Sequence, residues 1–405
     1  MKILTSLQVV TGMLLGLSSV MGVPKAMGQE PVIHHLFASM QGTLTTAGGG
    51  SIPIWGYGWD EEGEISLPAP MLSCMEGDSV HVVMTNPSPE SHTIHLHGLD
   101  VSQAHDGVPS TSFYVPTDST AIYKFRADHS GTFLYHCHVT TTLHLTMGMY
   151  GMFVVNRPDG SLYEGGAVPD AIHPFLFSDL EIATNLNPTG AFPFHDIRPN
   201  YFMINGLMGS QLTTPEAVIP YSPGETLALR LASMAYSRMD ILFPAELNAT
   251  AVMSDGRPLP EALPLDTLKI YPGERFTVLI TPPSMDATGW DGTLPCEFHM
   301  MADDELEYTD YIHFNDLTAG FDEISASSLV AFPNPTTGIV ELQQTVPSER
   351  GSWQLLSTNG QVVQSDMATA QGDALVLDLS NLPAGTYFWR DEQGHQIKIL
   401  RIRAE

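Results

Sequence analysis

TFLYHCHVTTTLHLTMGM, residues 132–149, is the stretch on which the reading of this 405-residue chain turns. A second histidine run, HTIHLHG, lies upstream at 92–98. Side chains alternate faces along a strand. If 132–138 is a strand, His136 and His138 point one way and Cys137 points the other. If 92–97 is extended, His95 and His97 share a face and His92 lies opposite. One strand pair then serves two metal sites, with Cys137 covalently between them. A cysteine, two histidines and a weak methionine make the ligand set of a blue copper centre. The histidines flanking Cys137 would hold further copper where oxygen chemistry occurs. A single buried histidine is ordinarily a core residue, and a lone cysteine is ordinarily a small hydrophobe. Six histidines, one Cys and one Met at mutually consistent parity in two short segments are hard to obtain from packing alone.

This combination resembles the multicopper oxidase family, and the resemblance extends through DGVPSTSFYVPTDSTAIYKFRADHSGTFLYHCH and covers most of 31–316. It implies type 1 copper ligands at His92, Cys137, His144 and Met149. It implies ligands of a type 2/type 3 copper cluster at His95, His97, His136 and His138. Met147 and Met152 compete with Met149, because MGMYGMF also reads as core filling. The resemblance further implies that electrons from a phenol, an aromatic amine, a metal ion or a redox protein enter at type 1 copper, and that O2 is reduced at the second site. His105 and Asp106 lie in a segment that approaches the cluster in the family. They are candidate catalytic residues, Asp106 as a proton relay and His105 as a hydrogen-bonding support, although Asp-Gly is also a plain turn.

The chain departs from the family pattern twice. His144 comes seven residues after Cys137, a two-residue insertion in VTTTLH. A full trinuclear cluster needs twice the two His-x-His pairs present, and none occurs in 157–316. Two first domains could meet face to face, a neighbouring chain could contribute ligands, or the second site could hold fewer coppers. The second option resembles two-domain copper nitrite reductases, which are trimers. In that reading His97, His136 and a neighbour's His299 bind one copper, while His95 and His138 remain multicopper-type residues. A homo-oligomer, trimer or dimer, is expected. The alternatives to an oxidase are a nitrite-reductase-like enzyme and a non-catalytic blue copper carrier.

Elsewhere, short alternating apolar segments such as SVHVVMTN, TLALRLAS and RFTVLIT are separated by Gly, Pro, Asn and Asp. No long helical period stands out, so the chain reads as all-β. Two cupredoxin-like Greek-key sandwich or barrel domains are expected, at 29–156 and 157–316. An internal repeat supports the pair. Asp106-Gly107-Val108-Pro109 recurs as Asp255-Gly256-Arg257-Pro258, and Gly131-Thr132-Phe133-Leu134 recurs as Gly292-Thr293-Leu294-Pro295. Ungapped alignment from the first anchor sets His92, His95 and His97 against Ile241, Pro244 and Glu246. From the second, His136, Cys137 and His138 meet Glu297, Phe298 and His299. The second domain therefore reads as one that has lost its own type 1 site. His313 reads as an ordinary strand residue, Glu246 as solvent-facing, and His34 and His35 as a surface arm before the first core.

A Ser/Ala-rich linker at 317–330 leads to 331–405, where FPNPTTG, WQLLSTNGQVV and NLPAGTYFWRDEQG resemble the C-terminal sorting domain of the type IX secretion system of Bacteroidota-type bacteria. Physically this is a small β-sandwich with NG, PAG and EQG turns. Residues 1–28 read as a signal peptide, with Lys2, an apolar stretch and small residues before Gln29. Export through the periplasm to the cell surface or medium, with the secretion machinery as a partner, follows. The net charge of −29 argues against nucleic acid and anionic membranes. Cys74 and Cys296 are left to pair or to stay as separate thiols, and spacing alone does not decide.

Overall fold

The computed structural model describes residues 30–401 except 47–48, 60–64, 193, 195–196, 286–289, 319–328, 333–335, 345–351, 358–361, 368–373, 384 and 392–395. The export signal, most of the linker and the turns read at 359–360 and 392–394 lie outside the described residues.

Alternation of apolar and polar residues makes strands, and strands dominate. β1 (Val32–Thr45), β2 (Ser51–Gly58), β3 (Ala69–Met75), β4 (Ser79–Asn86), β5 (His95–His97), β6 (Ser119–Arg126), β7 (Gly131–His136) and β8 (Tyr150–Asn156) form two sheets, ordered β2-β1-β4-β6 and β3-β8-β7-β5. Between them lies a core that includes Leu36, Val82, Tyr123, Phe133, Tyr135, Cys137 and Phe153. One short helix, α1 (Thr141–Thr146), joins β7 to β8. His34 and His35 belong to β1 and pair in register with Val82 and Val83, so they do not form a surface arm. The His34 ring packs edge-on to Phe153, and the alternation of β1 draws it into the sandwich.

The same plan repeats. β9 (Ala171–Leu180), α2 (Ile182–Leu186), β10 (Tyr201–Ile204), β11 (Ile219–Tyr221), β12 (Leu227–Ser233), β13 (Arg238–Leu242), β14 (Thr250–Ser254), β15 (Arg257–Pro264), β16 (Thr267–Ile270), β17 (Arg275–Ile280), β18 (Thr293–His299) and β19 (Leu306–Asp316) follow. Their sheets run β10-β9-β12-β17-β14-β15 and β11-β19-β18-β13-β16. β9 and β12 are parallel, as are β1 and β4; β11 and β19 are parallel, as are β3 and β8. The repeat legible at Gly131 and Gly292 is thus a repeat of topology.

The register corrects one part of the repeat. His95 pairs with His136 across β5 and β7, whereas Asp240 pairs with Glu297 across β13 and β18. With His136 equivalent to Glu297, the equivalent of His95 is Asp240, not Pro244, and that of His97 is Leu242. Pro244 caps a short 3-10 turn, and Glu246 on that turn is exposed. The loop between β13 and β14 differs from its counterpart, and an ungapped alignment cannot absorb that difference.

A buried layer joins the two sandwiches. Leu134, Tyr150, Met152 and Val154 from the outer face of β7 and β8 meet Leu176, Leu180, Tyr201, Met203 and Ala232. Burying each such side chain is worth about 2 kcal/mol. Met152 is committed to this layer, on the face away from Cys137. Two arginines of the second sandwich grip the start of β7: Arg230 donates to the Gly131 carbonyl at 2.9 Å, and Arg275 to the Thr132 carbonyl at 3.4 Å. Cys74 and Cys296 are both buried and free, each in the core of a different sandwich.

The remaining strands are β20 (Leu329–Phe332), β21 (Ile339–Gln344), β22 (Ser352–Ser357), β23 (Val362–Met367), β24 (Ala374–Asp378), β25 (Gly385–Asp391) and β26 (Gln396–Arg401). They form two small sheets around a separate core of Val340, Leu342, Trp353, Leu355, Leu377, Tyr387, Trp389 and Ile399. No helix among the described residues is long and apolar enough to cross a membrane.

Candidate metal centre

β7 ends at His136, and the extended chain beyond it keeps the alternation. His92, Cys137 and His144 each offer a donor atom, all within 4.8 Å of one another, and all three residues are buried. The Cys137 sulfur lies 3.7 Å from His92 Nδ1 and 3.1 Å from His144 Nδ1. Backbone hydrogen bonds close the loop: Cys137 N donates to the Met149 carbonyl at 3.0 Å, and Met149 N to the His144 carbonyl at 2.9 Å. Met149 is fully buried in the same core as Cys137. The loop between Cys137 and Met149 contains α1, which carries His144 and starts after Thr140 at a φ of +42°.

Burial pushes the His92 imidazole down to about 3, with help from His144, and the His144 imidazole down to about 4. Both are neutral near pH 7, as metal ligation requires. Burial raises the Cys137 thiol, so its proton is one that metal binding must displace.

On the other face, His95, His97 and His136 also bring donor atoms within 4.8 Å. His138 joins them: its ring centre is 5.4 Å from that of His95 and 6.0 Å from that of His136. His136 Nδ1 lies 3.0 Å from the Cys137 carbonyl, leaving Nε2 turned to His97 Nδ1 at 3.4 Å. Burial takes His136 down to about 3; burial and then Arg275 take His97 down to about 4. His95 Nδ1 is held 2.8 Å from the Asp106 carbonyl and 3.4 Å from its carboxylate. Gly107 makes this approach possible: its φ is +80°, and a Cβ there would fall on the Ile94 carbonyl. His105 packs its ring edge-on to Phe113, and its buried Nδ1 has no hydrogen-bond partner. Of the Asp106–His105 pair, only Asp106 has a described contact with the cluster.

A cleft of about 230 Å³ opens beside His97 and His136, bounded by Thr142, Leu145, Met234, Tyr236 and Gly273. Among the described residues, the second sandwich lines this cleft with a thioether, a phenol and backbone, while Arg275 and Asp255 act on His97 electrostatically. His299 is elsewhere, on the outer face of β18. It lies 3.1 Å from Glu297 and 3.9 Å from Asp240, which also accepts from Arg238 and lies 3.7 Å from Lys269. At the positions equivalent to the histidine cluster, the second sandwich thus carries an ion-pair network.

Several residues with no signal in the motif support the first site. Tyr57 donates to the Thr93 carbonyl at 2.6 Å, and His138 N donates to Thr93 Oγ1 at 2.9 Å, tying the two histidine runs together. Trp55 stands edge-on to His144 with ring centres 5.4 Å apart. Buried His144 Nε2 has no hydrogen-bond partner, and the half-exposed carboxylate of Glu90 lies 3.6 Å away.

The donor chemistry fits copper: neutral imidazoles and a thiolate-capable sulfur on one face, imidazoles alone on the other. The multicopper oxidase profiles match residues 63–160 and 179–290. The chain belongs to the multicopper oxidase family. Members of this family bind type 1, type 2 and type 3 copper, and the two His/Cys clusters are consistent with that. The secretion system C-terminal sorting domain profile matches 330–402, which implies secretion or cell-surface location. Among relatives, copper resistance protein A of Escherichia coli is 26% identical over 278 residues, 56% of this chain and 45% of that protein. Laccase-12 of Oryza sativa subsp. japonica is 31% identical over 229 residues, 53% of this chain and 38% of that protein. The chain spans less than half the length of these relatives. The crystal structure of blue copper oxidase from Nitrosomonas europaea superposes with a TM-score of 0.58 at 26% identity, covering 70% of this chain and 86% of that one. Copper nitrite reductase from the same organism shares the fold, with a TM-score of 0.56 at 19% identity over 71% of this chain and 94% of that one. The all-β, cupredoxin-like class expected from the sequence is the one observed.

Proposed function

We propose that the protein is a secreted copper-dependent oxidoreductase of the laccase-like type, exported through the periplasm. His92, Cys137, His144 and Met149 hold type 1 copper, and His95, His97, His136 and His138 hold the second site, where O2 is the acceptor. Copper supplies one-electron redox chemistry when bound. The carrying observation is the pair His136–Cys137: adjacent residues whose donor atoms face different clusters, linking them through a few covalent bonds. His144 turns its buried Nε2 toward the half-exposed carboxylate of Glu90, which suits entry of electrons from a small reductant, a metal ion or a redox protein docked over Glu90. Asp106 holds His95 through its carbonyl and keeps a partly exposed carboxylate beside it, placed to move protons between solvent and the second site.

The domain plan of 29–156, 157–316 and 331–405 belongs to the same reading, with 1–28 removed on export. So does a homo-oligomer. The cluster holds half a trinuclear histidine set, and the part of the second sandwich that lines the cleft offers no further imidazole among the described residues. A neighbouring copy completes it: in a trimer the neighbour's His299 is the histidine donor, and in a dimer two first domains meet face to face. A closed assembly is the common outcome for such chains, and a shared site ties metal content to assembly.

The close pair of His97 and His136, completed by a neighbour's His299, supports one second reading, a mononuclear site of the nitrite-reductase type, with His95 and His138 counting against it. Copper per chain and mass by light scattering, measured together, test the assembly. A monomer with a full complement of copper beyond type 1 would refute the shared site. Oxygen consumption with a phenolic donor, set against nitrite consumption with a reduced mediator, separates the two reactions. Failure to turn over either acceptor leaves the carrier.

A further inference from the structure

We propose that the second sandwich, in which no second Cys/His group is found among the described residues, positions the type 1 ligand His144 through Tyr236. This rests on the reading of His144 as a copper ligand.

α1 is only six residues long and has no side-chain cap at its start. A helix of one and a half turns does not hold itself in place in water. Its position must come from what it touches. On one side, His144 faces Cys137 and packs against Trp55. Two residues away in either direction, Thr142 and Thr146 lie on the opposite side of the helix, since two residues turn about 200°. Both meet Tyr236. Its hydroxyl donates to the Thr142 carbonyl at 3.0 Å, and Thr146 Oγ1 lies 3.1 Å from the same oxygen. Thr146 also donates to the Thr142 carbonyl at 2.7 Å, so the three groups form one polar knot.

Tyr236 is itself fixed. Its backbone N–H and that of Ser237 both donate to the buried carboxylate of Asp179, at 2.9 Å each. Asp179 is the last residue but one of β9, in the sheet whose arginines grip the start of β7. The segments leading into Cys137 and carrying His144 are therefore both referenced to the second sandwich. The helix that Tyr236 holds is the part of the loop that carries His144. Tyr236 is a positioning residue: it touches neither proposed donor set directly in any described hydrogen bond, and it acts on His144 through the helix.

Tyr236→Phe keeps the ring and removes both hydroxyl contacts; Thr146→Val removes one. The test uses the copper-loaded full chain and reads the blue-band maximum, the reduction potential and the rate of copper loss to a chelator. The expected result is a folded Tyr236→Phe protein with type 1 copper still bound. Its band and potential move outside the wild-type spread, and copper is lost roughly fivefold faster, the scale of one neutral hydrogen bond. Thr146→Val should move all three in the same direction by less. Unchanged band, potential and loss rate in Tyr236→Phe overturn the proposal, as does a shift in Thr146→Val without one in Tyr236→Phe. A His144→Ala control separates the underlying reading: if the wild-type band survives it, the ligand assignment has failed rather than the role of Tyr236.

Discussion

His136 Nδ1 lies 3.0 Å from the carbonyl oxygen of Cys137, the next residue in the chain. That contact orients the ring so that its Nε2 faces His97, while the Cys137 sulfur turns back toward His92 and His144. One peptide unit thus separates two clusters and sets the orientation of the second.

Cys137→Ser should abolish a strong absorption at about 600 nm that the copper-loaded wild type is expected to show from sulfur-to-copper charge transfer. Metal at the second site should persist, because its histidines lie on the other face. A colourless, copper-replete wild type would sink the type 1 assignment.

Glu90→Gln tests the entry side of His144. Removing the only carboxylate in ion-pair range of its Nε2 among the described residues should weaken the apparent KM for a cationic donor about fivefold, on the scale of one charge in mostly aqueous surroundings. A neutral phenol should be affected less, and the blue band should stay in place. Equal effects on both donors would remove Glu90 from donor selection.

Asp179 supplies a pH test. Burial pushes its carboxyl up to about 6, against the hydrogen bonds from Tyr236 and Ser237. With its folded pKa above the unfolded 3.8, the folded state holds more protons across this window. This group's contribution to stability is therefore complete at low pH and is lost as pH rises from about 4 to about 6. Asp179→Asn should remove that slope, worth at most about 3 kcal/mol. Urea unfolding of wild type and variant from pH 4 to 7 reads it as a difference that changes across the window. A constant difference would mean that Asp179 does not titrate there.

Truncation after about residue 330 should leave copper content and colour unchanged in refolded protein and abolish export. The physical reason is that the last seven strands enclose their own core, which shares no residue with the other two sandwich cores. Loss of the blue band on truncation would show that the tail supports the copper-bearing part.

The motif stretches carried the donor types and their parity, and the alternating segments elsewhere carried the all-β class, because strand alternation and ligand chemistry are local. The repeat also lay open at Gly131 and Gly292, where a strand begins in both sandwiches. The equivalence of Asp240 with His95 did not, because it depends on cross-strand pairing and the intervening loops differ in length. His34 looked like part of an arm because nothing local says that β1 pairs with β4. Only the tertiary structure decided that Cys74 and Cys296 sit in separate cores, that Met152 belongs to the layer between sandwiches, and that His299 is engaged by acids away from the cleft. Glu90, Trp55 and Tyr236 carry no motif. They matter through contacts between distant segments, and such contacts are set by how the faces pack rather than by spacing along the chain.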